Sequence, residues 1–181
     1  MNDDRLPPET EKDLLRRCWM SHDAYWFAGV AAEFGIDAAN RINRKNVRAI
    51  GRTEMHRLMK ALGAQRVEGI AGAMRLFEAG RALYVPPPAT QAEVEVVNDD
   101  VYEVRITRCF VHENIVRARI AGTYHCAVFD RIQGWHDAWG LPLAQELPAA
   151  TCALAAGKPC VRSFPIDRER AASAAPSAPS A

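Results

Sequence analysis

Apolar residues recur with two different periods along the chain, and the change falls at Pro86-Pro87-Pro88. Before the prolines the spacing is three and four. Leu14, Leu15, Cys18, Trp19, Trp26, Phe27, Val30 and Phe34 fall on one face of a helix predicted over 9–34, opened at Thr10 or by the preceding Pro8-Glu9 and stopped at Gly35. That face is expected to be buried. Asp37 is a suitable N-cap for a second helix over 38–50 ending at Gly51. Thr53 opens a third over 54–62 ending at Gly63, and a fourth covers 67–83. Three prolines in a row cannot continue a helix.

Beyond them the period is two. Val94 and Val96 alternate with Glu93 and Glu95, Asn98-Asp99-Asp100 supplies turn chemistry, and 101–107 returns as a second alternating run, which predicts a β-hairpin. Residues 111–121 and 127–139 read as shorter helices. Residues 147–153 and 161–166 read as a closing strand pair around Gly157-Lys158-Pro159. From Ala171 onward, Ala-Ser-Pro repetition reads as a disordered tail. The fold class is therefore α+β: an N-terminal helical layer packed on a small antiparallel sheet with interspersed short helices. Segregation of helices from strands argues against a doubly wound parallel sheet. One domain is expected over 1–170, with a helical part at 9–85 and a mixed part at 90–166.

The chain has 181 residues, 49% hydrophobic and 25% charged, as ordinary globular proteins are, and its net charge of +1 creates no strong overall field. No stretch approaches the roughly 18 apolar residues of a membrane span. A cytoplasmic protein with no membrane partner is expected, in a compartment that keeps thiols reduced. Between Arg41 and Lys60, seven basic residues, Arg41, Arg44, Lys45, Arg48, Arg52, Arg57 and Lys60, stand against the single acid Glu54. A nucleic-acid surface has this look, but in a neutral chain the run reads as the solvated face of helices, and nucleic acid is not the expected partner. The phosphate loop, G-x-S-x-G and H-E-x-x-H patterns are missing, which removes the usual support for nucleotide hydrolysis, serine hydrolysis and zincin chemistry.

The cysteines carry the candidate chemistry. Cys109, Cys126, Cys152 and Cys160 crowd into the last part of the chain, whereas the first 108 residues hold only Cys18. Their gaps of 16, 25 and 7 residues do not form the C-x2-C pairs of zinc ribbons or ferredoxin clusters. Convergence in space on one thiol site and separate burial both remain open on spacing alone. If they converge, all four are candidate ligands for a thiolate-bound metal, zinc or iron. If one is a nucleophile, Cys126 or Cys152 would attack, with His125, His112 or His22 moving the proton. Cys18, His22 and Trp26 share one ridge of the first helix, so His22 is expected to present an imidazole toward the buried side, as the polar element of a pocket floor.

The run His22-Asp23-Ala24-Tyr25-Trp26-Phe27, with Gly35, Ala38-Ala39-Asn40-Arg41 and the later cysteines, resembles the L-2-amino-thiazoline-4-carboxylic acid hydrolase-like family. The end Cys152…Gly157-Lys158-Pro159-Cys160-Val161-Arg162-Ser163-Phe164 is similar to the closing cysteine element of vinyl-reductase-type ligand-binding domains. The likeness spans about residues 10 to 166, although Ala153-Leu154-Ala155-Ala156 stands where relatives carry closer cysteines or an acid. The resemblance implies a small-molecule enzyme hydrolysing a non-peptide C–N or C–S bond, opening a sulfur-containing five-membered ring toward a cysteine derivative. The alternative it implies is a non-enzymatic, sensor-type domain that binds a ligand or metal.

Overall fold

Gly51, expected to stop a helix, lies inside one. In the computed structural model, which describes residues 5–64 and 67–173, the segments 38–50 and 54–62 form a single helix, α2 (Ile36–Ala61), preceded by α1 (Pro8–Phe34). The reason for the glycine is packing. A Cβ at Gly51 would lie 2.3 Å from the carbonyl oxygen of Arg131, and one at Gly134 would lie 2.1 Å from that of Arg48. Two helices cross here with backbone against backbone, and only glycine leaves room on each side.

The chain divides into two compact units, residues 1–43 and 44–181. The first unit holds α1 and the start of α2. Gly35 closes α1 at φ 83°, in the left-handed region that glycine adopts freely, and donates its N–H to the Ala31 carbonyl at 3.0 Å. The expectation of a buried α1 face is corrected: no α1 residue is buried, and Leu14, Leu15, Trp19, Trp26 and Phe34 are all exposed. At 3.6 residues per turn these side chains spread round more than half of the circumference, which is wider than one contact stripe.

The second unit continues α2 and adds α3 (Gly69–Tyr84), β1 (Thr90–Asn98), β2 (Val101–Cys109), α4 (Phe110–Arg117), α5 (Val128–Trp139), β3 (Cys160–Pro165) and α6 (Arg168–Ser173). The hairpin of β1 and β2 forms as the alternation predicts, with Asn98 Oδ1 accepting from the Asp100 N–H at 2.9 Å in its turn. The sheet is antiparallel in the order β1-β2-β3, and with the preceding helices this gives the α+β class. The expected pairing of 147–153 with 161–166 does not occur. β3 instead lies along β2, Tyr102 opposite Phe164 and Ile106 opposite Cys160, because β2 offers buried Tyr102, Val104 and Ile106 while Pro148 has no N–H to give a ladder. Residues 147–153 run as a loop that makes an isolated β-bridge, His125 with Thr151. Residues 171–173, expected to open a tail, instead complete α6, and the rest of that expected tail, 174–181, lies outside the described residues.

The core of the second unit is aromatic. Tyr102 stacks on Phe164 with ring centroids 5.0 Å apart, and Phe77 meets Trp135 edge-on at 5.2 Å. His136 is buried among them. Its Nδ1 lies 2.8 Å from the Leu141 carbonyl, which can only accept, so Nδ1 carries the hydrogen and Nε2 accepts from the Tyr102 hydroxyl at 2.7 Å. Burial lowers the His136 pKa to about 4 and keeps the ring neutral. Among the described residues no helix is long and apolar enough to cross a membrane.

Candidate functional site

Four separate stretches of the second unit bring Cys109, Cys126, Cys152 and Cys160 to the lining of one cavity of about 110 Å³. Cys109 ends β2 as the residue before α4. Cys126 stands two residues before α5, held by its N–H donating to the Ala150 carbonyl at 2.8 Å. That bond and the His125–Thr151 bridge lay the loop 147–153 beside Cys126, which delivers Cys152 to the same wall. A 3₁₀ turn, Leu154–Ala156, and Gly157 at φ 68° then reverse the chain so that β3 begins at Cys160. Adding a side chain at Gly157 strains this return whatever the space around it.

Sequence spacing left this convergence open, and it missed the polar wall. Arg44 of α2 forks onto Asp130 of α5, Nε to Oδ2 and Nη2 to Oδ1 both at 2.8 Å, and also donates to the Leu147 carbonyl at 3.0 Å. This tie fastens the loop to the helix pair. The signal available in the sequence was Asp130 itself, a carboxylate between the apolar residues Phe129 and Ile132 of an amphipathic helix, which needs a cation if buried. The basic run is thus more than a solvated face: Arg44 pairs with Asp130, and Arg48 with Asp137 and Glu146.

Three of the thiols, Cys109, Cys126 and Cys160, sit in surroundings that disfavour their ionised form. Burial pushes Cys126 up to about 12, with Cys109, Cys152 and Cys160 adding to the rise, and pushes Cys160 up to about 11. Cys109 is raised by the same cause. All four are free thiols. As the side chains stand, no group of three or more His, Cys, Asp or Glu among the described residues is set to hold a metal ion.

Among the described residues no histidine lines the cavity. His125 and His112 are half-buried nearby in the chain but lie outside its lining. The assignment of His22 to a pocket floor is corrected. Its side chain is 69% exposed, and it accepts from Trp26 Nε1 at 3.1 Å on the surface of α1, so the ridge satisfies its own polar groups one helical turn apart. Cys18 on the same ridge is exposed too.

The model of a family of unknown function, DUF6125, matches residues 12–131, and the chain belongs to that family. The match takes in Cys109 and Cys126 and ends before Cys152 and Cys160. No curated protein and no solved structure matches the chain. The family match adds nothing to the resemblance to the aminothiazoline-carboxylate hydrolase-like group.

Proposed function

We propose that this member of a family of unknown function is a binding module rather than a hydrolase, and that its four-cysteine cavity takes one thiophilic divalent metal ion of the zinc or iron kind. What supports this reading is a single arrangement: four thiols around one small cavity with no imidazole in its lining among the described residues. A cysteine nucleophile needs a lowered pKa and a base within reach. Here burial raises Cys126 and Cys160, and the one carboxylate in the lining, Asp130, is tied to Arg44. Ligation makes the opposite demand. A cation replaces the thiol protons as it binds, so buried thiols that resist ionising singly ionise together around it. The cavity, at about 110 Å³, is well below the roughly 300–1,000 Å³ of a drug-sized ligand site. Metal uptake requires the Cys109, Cys126, Cys152 and Cys160 side chains to turn toward a common point, since as they stand no group of three or more among the described residues is set to hold an ion.

Elemental analysis of protein purified without oxygen, followed by titration of the metal-free chain with cadmium, tests the reading. One ion per chain is expected, with sulfur-to-cadmium charge-transfer absorption and proton release. Iodoacetamide near neutral pH should label the four cavity cysteines of the metal-free chain more slowly than free cysteine. A chain that takes up no cadmium overturns the metal assignment. Labelling of Cys126 or Cys152 faster than free cysteine, together with hydrolysis of aminothiazoline carboxylate, overturns the binding module in favour of the hydrolase.

A further inference from the structure

A second, wider cleft of about 710 Å³ opens in the same unit, away from the cysteines. Lys45, Arg48 and Arg52 line it from α2, Asp137 from α5, and Arg170 from α6. Four cations thus face one carboxylate. The acids within reach are already engaged: Arg48 bonds Asp137 through Nε at 2.8 Å and Glu146 through Nη1 at 2.7 Å. His136, below the cleft, spends both ring nitrogens on Tyr102 and the Leu141 carbonyl. Lys45 and Arg52 are exposed and make no ion pair among the described residues. They stand seven positions apart on one helix face with Arg48 between, about 10 Å along the axis at 1.5 Å per residue.

From these observations we propose that the cleft binds a phosphorylated small molecule carrying at least two anionic groups, with Lys45 and Arg52 as its principal contacts. The chemistry follows from the charges. Arg48 is neutralised in place and serves as a rigid wall, while the two cations flanking it have no ion-pair partner among the described residues and gain one from an anionic ligand. A single monoanion satisfies one of them; a ligand with separated charges satisfies both. The volume falls in the range of small-molecule sites. Nucleic acid is the weaker fit, because phosphate-backbone binding by 6–10 contacts needs an extended basic track, and here the cations are gathered in one cleft of a nearly neutral chain.

The test is calorimetric titration of the full chain with inorganic pyrophosphate, beside orthophosphate. Saturable pyrophosphate binding is expected, about tenfold tighter than orthophosphate, weakening by about tenfold for each cation removed in Lys45→Ala and Arg52→Ala. Both residues are exposed and unpaired, so melting temperature should stay unchanged, and Arg52→Lys should recover part of the affinity. Absence of binding, or a double variant that binds as the wild type does, overturns the proposal. Binding of a single-stranded oligonucleotide that pyrophosphate cannot displace overturns it as well.

Discussion

Replacing Gly134 by Ala adds one methyl at the crossing of α2 and α5. That methyl would lie 2.1 Å from the Arg48 carbonyl oxygen, 2.8 Å from the Arg52 nitrogen and 3.0 Å from the Arg48 carbonyl carbon. All three atoms are backbone, so no side chain can swing aside. Restoring an ordinary contact of 3.4 Å requires the helices to separate by 3.4 − 2.1 = 1.3 Å. A shift of that size stretches the 2.8 Å Arg44–Asp130 and Arg48–Asp137 bonds beyond hydrogen-bond length unless the side chains follow. Overpacking costs about 1–3 kcal/mol, and a rigid backbone contact puts this site at the upper end. The better helix propensity of alanine returns up to about 1 kcal/mol, leaving a net loss of about 2 kcal/mol. At ~2–4 °C per kcal/mol for a chain of this size, thermal unfolding followed by circular dichroism should drop by about 4–8 °C. Gly29→Ala is the matched control, because nothing lies within 4 Å of a Cβ there, and it should leave stability equal or slightly raised. A Gly134→Ala melt at or above the wild type would refute the backbone crossing.

Glu54 is buried against Arg131 and accepts from Trp135 Nε1 at 3.3 Å, so Glu54→Gln should cost about 2–4 kcal/mol in urea unfolding; a loss under about 0.5 kcal/mol would contradict the pairing. His136 has a folded pKa of about 4 against about 6.5 unfolded, so it binds its proton more readily in the unfolded chain. Its contribution is constant above pH 6.5 and is lost as pH falls from there to 4, about 3 kcal/mol in all. Stability that is flat across that range, or equally pH-dependent in His136→Phe, would exclude this account. Arg44→Met unties the loop at Leu147 and leaves Asp130 without its partner, so iodoacetamide should label Cys126 and Cys152 faster than in the parent chain; unchanged rates would show that the loop is held by other contacts.

Local patterning made much of the fold legible. The alternation at Val94–Val96 and Val101–Thr107 gave the hairpin, and the threefold and fourfold spacing gave α1, α3 and α5 close to their ends. Features decided by distant partners were not legible. Gly51 looks like a stop from its neighbours alone, and only Arg131, far along the chain, explains why it sits inside a helix. The strand at 160–165 was recognisable, but its partner was chosen by the buried face of β2 rather than by the nearer segment 147–153. At the site, the crowding of Cys109, Cys126, Cys152 and Cys160 was visible, while Arg44 and Asp130, 86 positions apart, could meet only once α2 and α5 had crossed. His22 was misplaced because a helical ridge says which side chains are neighbours and nothing about whether that ridge is covered.

Placing the third strand so late in the chain has a consequence for biosynthesis. A nascent chain released only as far as the hairpin presents the edge of β2 from Tyr102 to Ile106 with its hydrogen-bonding groups unpaired and its apolar side chains half-covered. Translation must proceed past residue 165 before β3 can dock there. Cys152 and Cys160 arrive just before and at the start of β3, so the edge is sealed and the thiol wall completed together. Stalled or prematurely terminated chains would carry Cys109 and Cys126 beside an open strand, the kind of unpaired edge that invites association with another chain.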